Sequence, residues 1–201
     1  MHSAWSLMNR RTRACVTCAL MASLLSQGCS TARPVADVNR ARIDNPPEAV
    51  TAQVESWLPA AEDFVNSSER AIAVQGRALT ESERKLAAAV GVAHPEAVRV
   101  LVTESFLTPV PGTPFSEEAR KLGVGSRAEG GLTLGYGIEL KTRYAGKPWI
   151  LAHELTHVAQ FERLGHHEFL RQYLAAALIF GADKIPLESD ASKNEMLARS
   201  L

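Results

Sequence analysis

The stretch "ILAHELTHVAQFERLG", residues 150–165, decides how the rest of the chain is read. Ile150, Leu151, Leu155, Val158, Phe161 and Leu164 recur at the three- and four-residue spacing of one helical face, with Pro148 suited to a first turn and Gly165 to a stop. The pattern predicts a helix over 148–165. Within it stands His153-Glu154-Leu155-Thr156-His157. Four residues turn a helix by about 400° and advance it by about 6 Å, so both imidazoles leave the same face within reach of one ion. Glu154 is next to the first of them, where its carboxylate can meet a water on the same metal and take its proton. An ordinary amphipathic helix with a solvated His/Glu/His row would show the same letters. Against that, Ala152, Leu155, Val158 and Ala159 surround the motif and leave little room for a wet face. Two histidines and a glutamate buried without partners are costly, so the motif is read as a metal site.

A catalytic zinc needs a third protein ligand and an open fourth position. A third histidine six residues after His157 is excluded, because Arg163 stands there and Gln160 replaces the glycine such a motif carries. His166, His167, Glu168, Asp183, Glu188 and Asp190 remain. Glu168 suits the cap of a following helix that runs to about Phe180 with Phe169, Leu170, Tyr173, Leu174, Ala177 and Leu178 apolar. Two antiparallel helices joined by a short turn bring the end of the second back to the middle of the first. Glu188, in "IPLESDASKNE", opens a further short helix there and is where a ligand is expected.

Thiolates are not on offer. All three cysteines, Cys15, Cys18 and Cys29, lie near the N-terminus, which leaves histidine and carboxylate to hold a metal such as Zn2+. Arg10, Arg11 and Arg13 precede the apolar run 14–25, the pattern of a signal peptide over 1–28. Leu25 to Cys29 resembles a bacterial lipoprotein lipobox, which implies lipidation at Cys29, export and a membrane anchor. Residues 29–47, with Pro34, Pro46 and Pro47, read as a flexible tether, and 48–201 as the folded domain. The 22 basic and 22 acidic residues of the chain become 19 and 22 without the leader, so no basic patch points to nucleic acid.

Between tether and motif, helical patterning runs from Glu48 to Gly76, interrupted at Pro59; Thr80 and Glu83 form a capping box, and Gly91 suits the stop. Residues 97–106 alternate and read as a strand, Ser116 caps a short helix ending at Gly123, and 131–142 read as a second strand. Gly130, Gly131, Gly135 and Gly137 fit neither a P-loop nor a dinucleotide turn, since Leu140 stands in the place of the third glycine. The expectation is a mostly helical α+β domain with a small sheet packed on the helix that carries the motif.

"HELTHVAQFERLG" followed by "PLESDA" is similar to the gluzincin branch of zinc metallopeptidases, and to small bacterial zincin-like proteins of that kind, over about Leu132 to Ala191. The resemblance implies a zincin-like fold and hydrolysis of peptide bonds in a peptide or protein substrate. It also implies His153, His157 and Glu188 as ligands, Glu154 as general base, and the strand at 131–142 as the cleft edge along which an extended peptide lies. The chain departs from the family at Ser192, where larger members carry an aspartate that orients a histidine; Asp190 or a backbone carbonyl is left for that role. Tyr136, Tyr144, Tyr173, His166 and His167 are candidate oxyanion donors, whereas His94 reads as a surface residue. A zincin-like domain without turnover that serves envelope binding is the alternative, and a purely structural lipoprotein is the third.

Overall fold

The computed structural model describes residues 35–122 and 130–199. The leader, Cys29 and the start of the tether lie outside them. Among the described residues the chain is mixed α+β, with α1 (Val35–Asp44), α2 (Glu48–Gln75), β1 (Arg77–Ala78), α3 (Glu81–Ala89), β2 (Arg99–Thr103), α4 (Pro114–Lys121), β3 (Gly131–Leu134), β4 (Gly137–Lys141), α5 (Pro148–Phe180) and α6 (Pro186–Arg199). None of these helices is long and apolar enough to cross a membrane.

The tether ends earlier than expected. Residues 35–44 form α1, whose Ile43 is 5 % exposed in the core, and Arg171 Nη1 donates to the Ile43 carbonyl at 3.2 Å. Asp37, Asn39, Arg40, Arg42 and Asp44 interrupt the apolar residues of this helix, so its periodicity does not stand out in the sequence. Pro59 also fails to interrupt α2. A proline inside a helix frees the carbonyl four residues earlier and costs about 3 kcal/mol. Here Glu55 and Pro59 both face solvent, while Val54, Trp57, Leu58, Ala61, Phe64, Val65 and Ile72 are buried along the other side and hold the helix together. The capping box at Thr80 forms, with Thr80 Oγ1 accepting from the Glu83 N–H and the Glu83 carboxylate accepting from the Thr80 N–H.

Strand order is β1-β2-β4-β3, with β2 parallel to β4 and the other pairs antiparallel. The run 131–142, read as one strand, is a hairpin. Leu134 pairs with Gly137 around the two-residue turn Gly135-Tyr136, and Gly135 has a φ of 64°. A glycine opening a two-residue turn is favoured because it reaches positive φ without a Cβ clash. The apolar alternation continues through the turn and hides it.

Register then assigns the faces. Ile138 and Leu140 of β4 pack with Val98, Val100, Leu151, Leu155 and Val158, so this face covers the first half of α5. Thr133 pairs with Ile138 and Gly131 with Leu140, which turns both toward α5 as well. Gly137 is on the opposite face, where an added Cβ would come within 2.9 Å of Ile72 in α2. The sheet thus lies between α2 on one side and α5 on the other, and β3 is its edge.

Candidate metal centre

His153, Glu154 and His157 occur on the first arm of α5, as the pattern predicts. The helix breaks at Gly165, whose φ of 75° and ψ of 163° only glycine adopts readily. Twelve residues of unbroken helix would separate His157 from Phe169 by about 18 Å. Their ring centroids are 6.2 Å apart instead, and Phe169 stacks on Phe161 at 3.7 Å, so the second arm doubles back along the first. After a short 3-10 turn at Ala182–Lys184, α6 begins at Pro186 and carries Glu188 to the two histidines.

Three ligand groups converge. His153 Nε2 and His157 Nε2 are 3.2 Å apart, His153 Nε2 is 3.2 Å from Glu188 Oε2, and His157 Nε2 is 3.4 Å from Glu188 Oε1. Both Glu188 oxygens take part in these contacts, and one ligand atom from each residue lies within 4.8 Å of the others, within reach of one ion. His153, His157 and Glu188 form the cluster among the described residues that could hold a metal.

The hydrogen bonds of Gln160 decide which nitrogen of His157 is free. Its Nε2 donates to the Leu187 carbonyl at 3.0 Å, a group that only accepts, so its Oε1 faces His157 Nδ1 at 2.8 Å and accepts the proton there. In the neutral ring the Nε2 lone pair is therefore left facing Glu188 and His153. Without a metal the charges compensate one another. Burial, the largest influence on His157, lowers its pKa, but the hydrogen bond and charge of Glu188 outweigh it and push the group up to about 9. His153 is raised for the same reason. Burial would raise Glu188, but the two imidazoles hold it well below the usual carboxylate range.

Glu154 is 4 % exposed. Thr133 Oγ1 donates to its Oε2 at 2.7 Å and reaches its backbone carbonyl at 3.1 Å. Its other oxygen lies beneath Gly131, where an added Cβ would collide with it. Burial raises the Glu154 pKa, offset in part by His153 and His157. Both the ligand cluster and Glu154 line a cleft of about 310 Å³ walled by α2, α4, β3 and the second arm of α5, with Phe64, Phe115, Leu132 and Leu170 among its apolar residues.

The other candidate ligands are engaged elsewhere. His166 Nδ1 is 3.0 Å from Asn66 Oδ1, His167 pairs with Glu62, Glu168 with Arg171, and Asp190 with Lys193. Asp183 falls in the 3-10 turn. Among the candidate oxyanion donors, Tyr173 lines the cleft and donates to Glu188 Oε1 at 2.8 Å, whereas Tyr144 packs edge-on against Trp149 and Tyr136 is in the hairpin turn. His94 is exposed beside Glu96.

Sequence reasoning did not find Thr133, Gln160 or Glu195. Glu195 Oε2 is 3.3 Å from His153 Nδ1. Neither Ser192, which is exposed, nor Asp190 takes the place beside that ring. The signal for Glu195 was its spacing, seven residues and two turns beyond Glu188 on one face of α6. No family model, no curated protein and no solved structure matches the chain, so the reading of the centre rests on its own geometry.

Proposed function

We propose that the chain is a zinc-dependent hydrolase of peptide bonds, with His153, His157 and Glu188 as ligands and Glu154 as general base. The observation that carries the reading is the convergence of three ligand groups, within 4.8 Å of one another, in an apolar cleft that Glu154 also lines. Zinc held by these groups would lower the pKa of water to around 7 and polarise a carbonyl.

What the protein supplies follows from its own contacts. Gln160 keeps the His157 proton on Nδ1, and so its donor atom open. Thr133 holds one oxygen of Glu154, while burial makes that carboxylate a stronger base at neutral pH, suited to taking a proton from attacking water. The apolar walls exclude bulk water and strengthen every charge interaction at the cleft floor. Among the described residues no strand pairs with the outer side of β3, where an extended substrate can pair with backbone N–H and C=O groups. Tyr173 donates its hydroxyl proton to Glu188 Oε1 at the cleft wall and so helps hold that ligand in place. The reading extends to the cell envelope, with the leader pattern over 1–28 as an export signal and Cys29 as the site of a lipid anchor.

One observation favours a competing reading, a metal-holding binding domain without turnover: Glu154 is sealed beneath Gly131 and bonded to Thr133. Metal content by mass spectrometry on wild type, His157→Ala and Glu188→Ala tests the centre. One zinc per chain, strongly reduced in both variants, supports it; no zinc after reconstitution sinks it. Peptide-library cleavage by wild type and its loss in Glu154→Gln separates enzyme from binding domain.

A further inference from the structure

Trp149 and His153 are four residues apart in α5, and Glu195 and Arg199 four apart in α6, so each pair shares a helix face. The packing of α5 on α6 brings the two pairs together. The Arg199 guanidinium lies 3.5 Å from the centroid of the Trp149 ring. Its Nε and Nη2 donate to Glu195 Oε1 at 3.1 and 2.6 Å. Glu195 Oε2 remains, 3.3 Å from His153 Nδ1. That nitrogen is buried and makes no hydrogen bond, although Oε2 is within ion-pair distance of it.

We propose that Glu195 is the positioning residue of His153, and that Arg199, seated on Trp149, orients Glu195 for the task. The proposal rests on the metal reading above. Two donors from Arg199 commit Oε1, so Oε2 is the oxygen presented to the imidazole. A proton kept on Nδ1 leaves the Nε2 lone pair facing Glu188 and His157. The two ligand rings are then held differently: His157 by the neutral amide of Gln160, His153 by a carboxylate, which makes the ring a stronger donor to a metal. The role that Ser192 cannot fill passes to a residue one turn further along α6, and the last turn of that helix becomes part of the centre.

Zinc affinity of the full chain, measured by chelator competition, tests this. Glu195→Gln is expected to weaken zinc binding by roughly 10–100-fold. Arg199→Met should weaken it less, and the double variant should match Glu195→Gln alone, because Arg199 acts through Glu195. Lys193→Ala, which breaks a neighbouring ion pair on α6, should change nothing. A separate proton signal for His153 Nδ1–H in the zinc-loaded chain, shifted downfield in wild type and upfield in Glu195→Gln, gives a readout that a merely structural role would not move. Zinc affinity of Glu195→Gln within about twofold of wild type overturns the proposal and leaves the metal reading standing, since the outer partners of ligating histidines normally matter by more than that. Additive losses in the double variant overturn the part given to Arg199. No zinc on wild type overturns both.

Discussion

The Thr133 hydroxyl donates to the Glu154 carboxylate at 2.7 Å, so the edge strand of the sheet holds the acidic residue of the histidine helix. Thr133→Val keeps the shape and removes the donor. A hydrogen bond to a charged group is worth about 1.5–3 kcal/mol, and its loss should slow turnover by roughly 10–100-fold while zinc content stays at wild-type level. Steady-state kinetics alongside metal analysis checks this; parallel loss of zinc and turnover would instead show that Thr133 supports the whole cleft.

Gly131 is the second point at which β3 meets Glu154. An added Cβ would collide with the Glu154 side chain, its Cδ and Cγ lying 2.6 Å away. Gly131→Ala is therefore expected to displace the carboxylate, to cost about 1–3 kcal/mol in urea unfolding as overpacking does, and to abolish most turnover.

The parts of the centre legible in the sequence are those fixed by local periodicity. His153 and His157 are one turn apart on an apolar stripe, and Gly165 and the apolar run to Phe180 predict the return that brings Glu188 in. Thr133 was not legible because its direction depends on register. The alternation through Leu134, Tyr136 and Ile138 reads as one strand, and only the turn at Gly135 puts Thr133 opposite Ile138 and toward α5. Gln160 and Glu195 were hidden because each is an ordinary polar letter on a helix until the Leu187 carbonyl or the His153 ring arrives from elsewhere in the chain. At α1 and Pro59 the local signals pointed the wrong way, and the buried faces against α5 and the core decided the outcome.

Gln160 carries a prediction of its own. Gln160→Leu fills similar volume but leaves His157 Nδ1 and the Leu187 carbonyl unpaired. Loss of such an outer partner normally costs roughly 10–100-fold in metal affinity, and the same is expected here. The expected companion effect is about 1–3 kcal/mol of lost stability for the metal-free chain, from buried groups left unsatisfied. Chelator competition and urea unfolding measure the two separately.

Gly165 tests whether the doubled-back arm is needed. Its backbone has φ 75° and ψ 163°, and a Cβ there would meet nothing within 4 Å, so any penalty for Gly165→Ala comes from conformation alone. Such a conformation costs about 1–3 kcal/mol in a residue with a side chain. The variant should unfold at correspondingly lower urea, and zinc affinity should fall as well, because Phe169 and Tyr173 reach His157 and Glu188 only when the arms are antiparallel.

The charges of the centre give the metal-free and zinc-loaded proteins opposite pH dependence. His157, raised from 6.5 to about 9 chiefly by Glu188 against the effect of burial, stabilises the metal-free fold fully below 6.5, and this contribution is lost as pH rises through about 9. Glu188, lowered from 4.5, contributes above 4.5 and loses its contribution as pH falls toward its folded value. The pair is at its strongest between those limits. Zinc must displace the His157 Nε2 proton to bind, so its affinity should rise with pH by about tenfold per unit for each proton displaced and level off above about 9. Calorimetric titration with zinc in two buffers of different ionisation enthalpy reads the proton release directly. Zinc binding with no proton release near neutral pH would mean that the two imidazoles are already neutral and that Glu188 does not hold their charge.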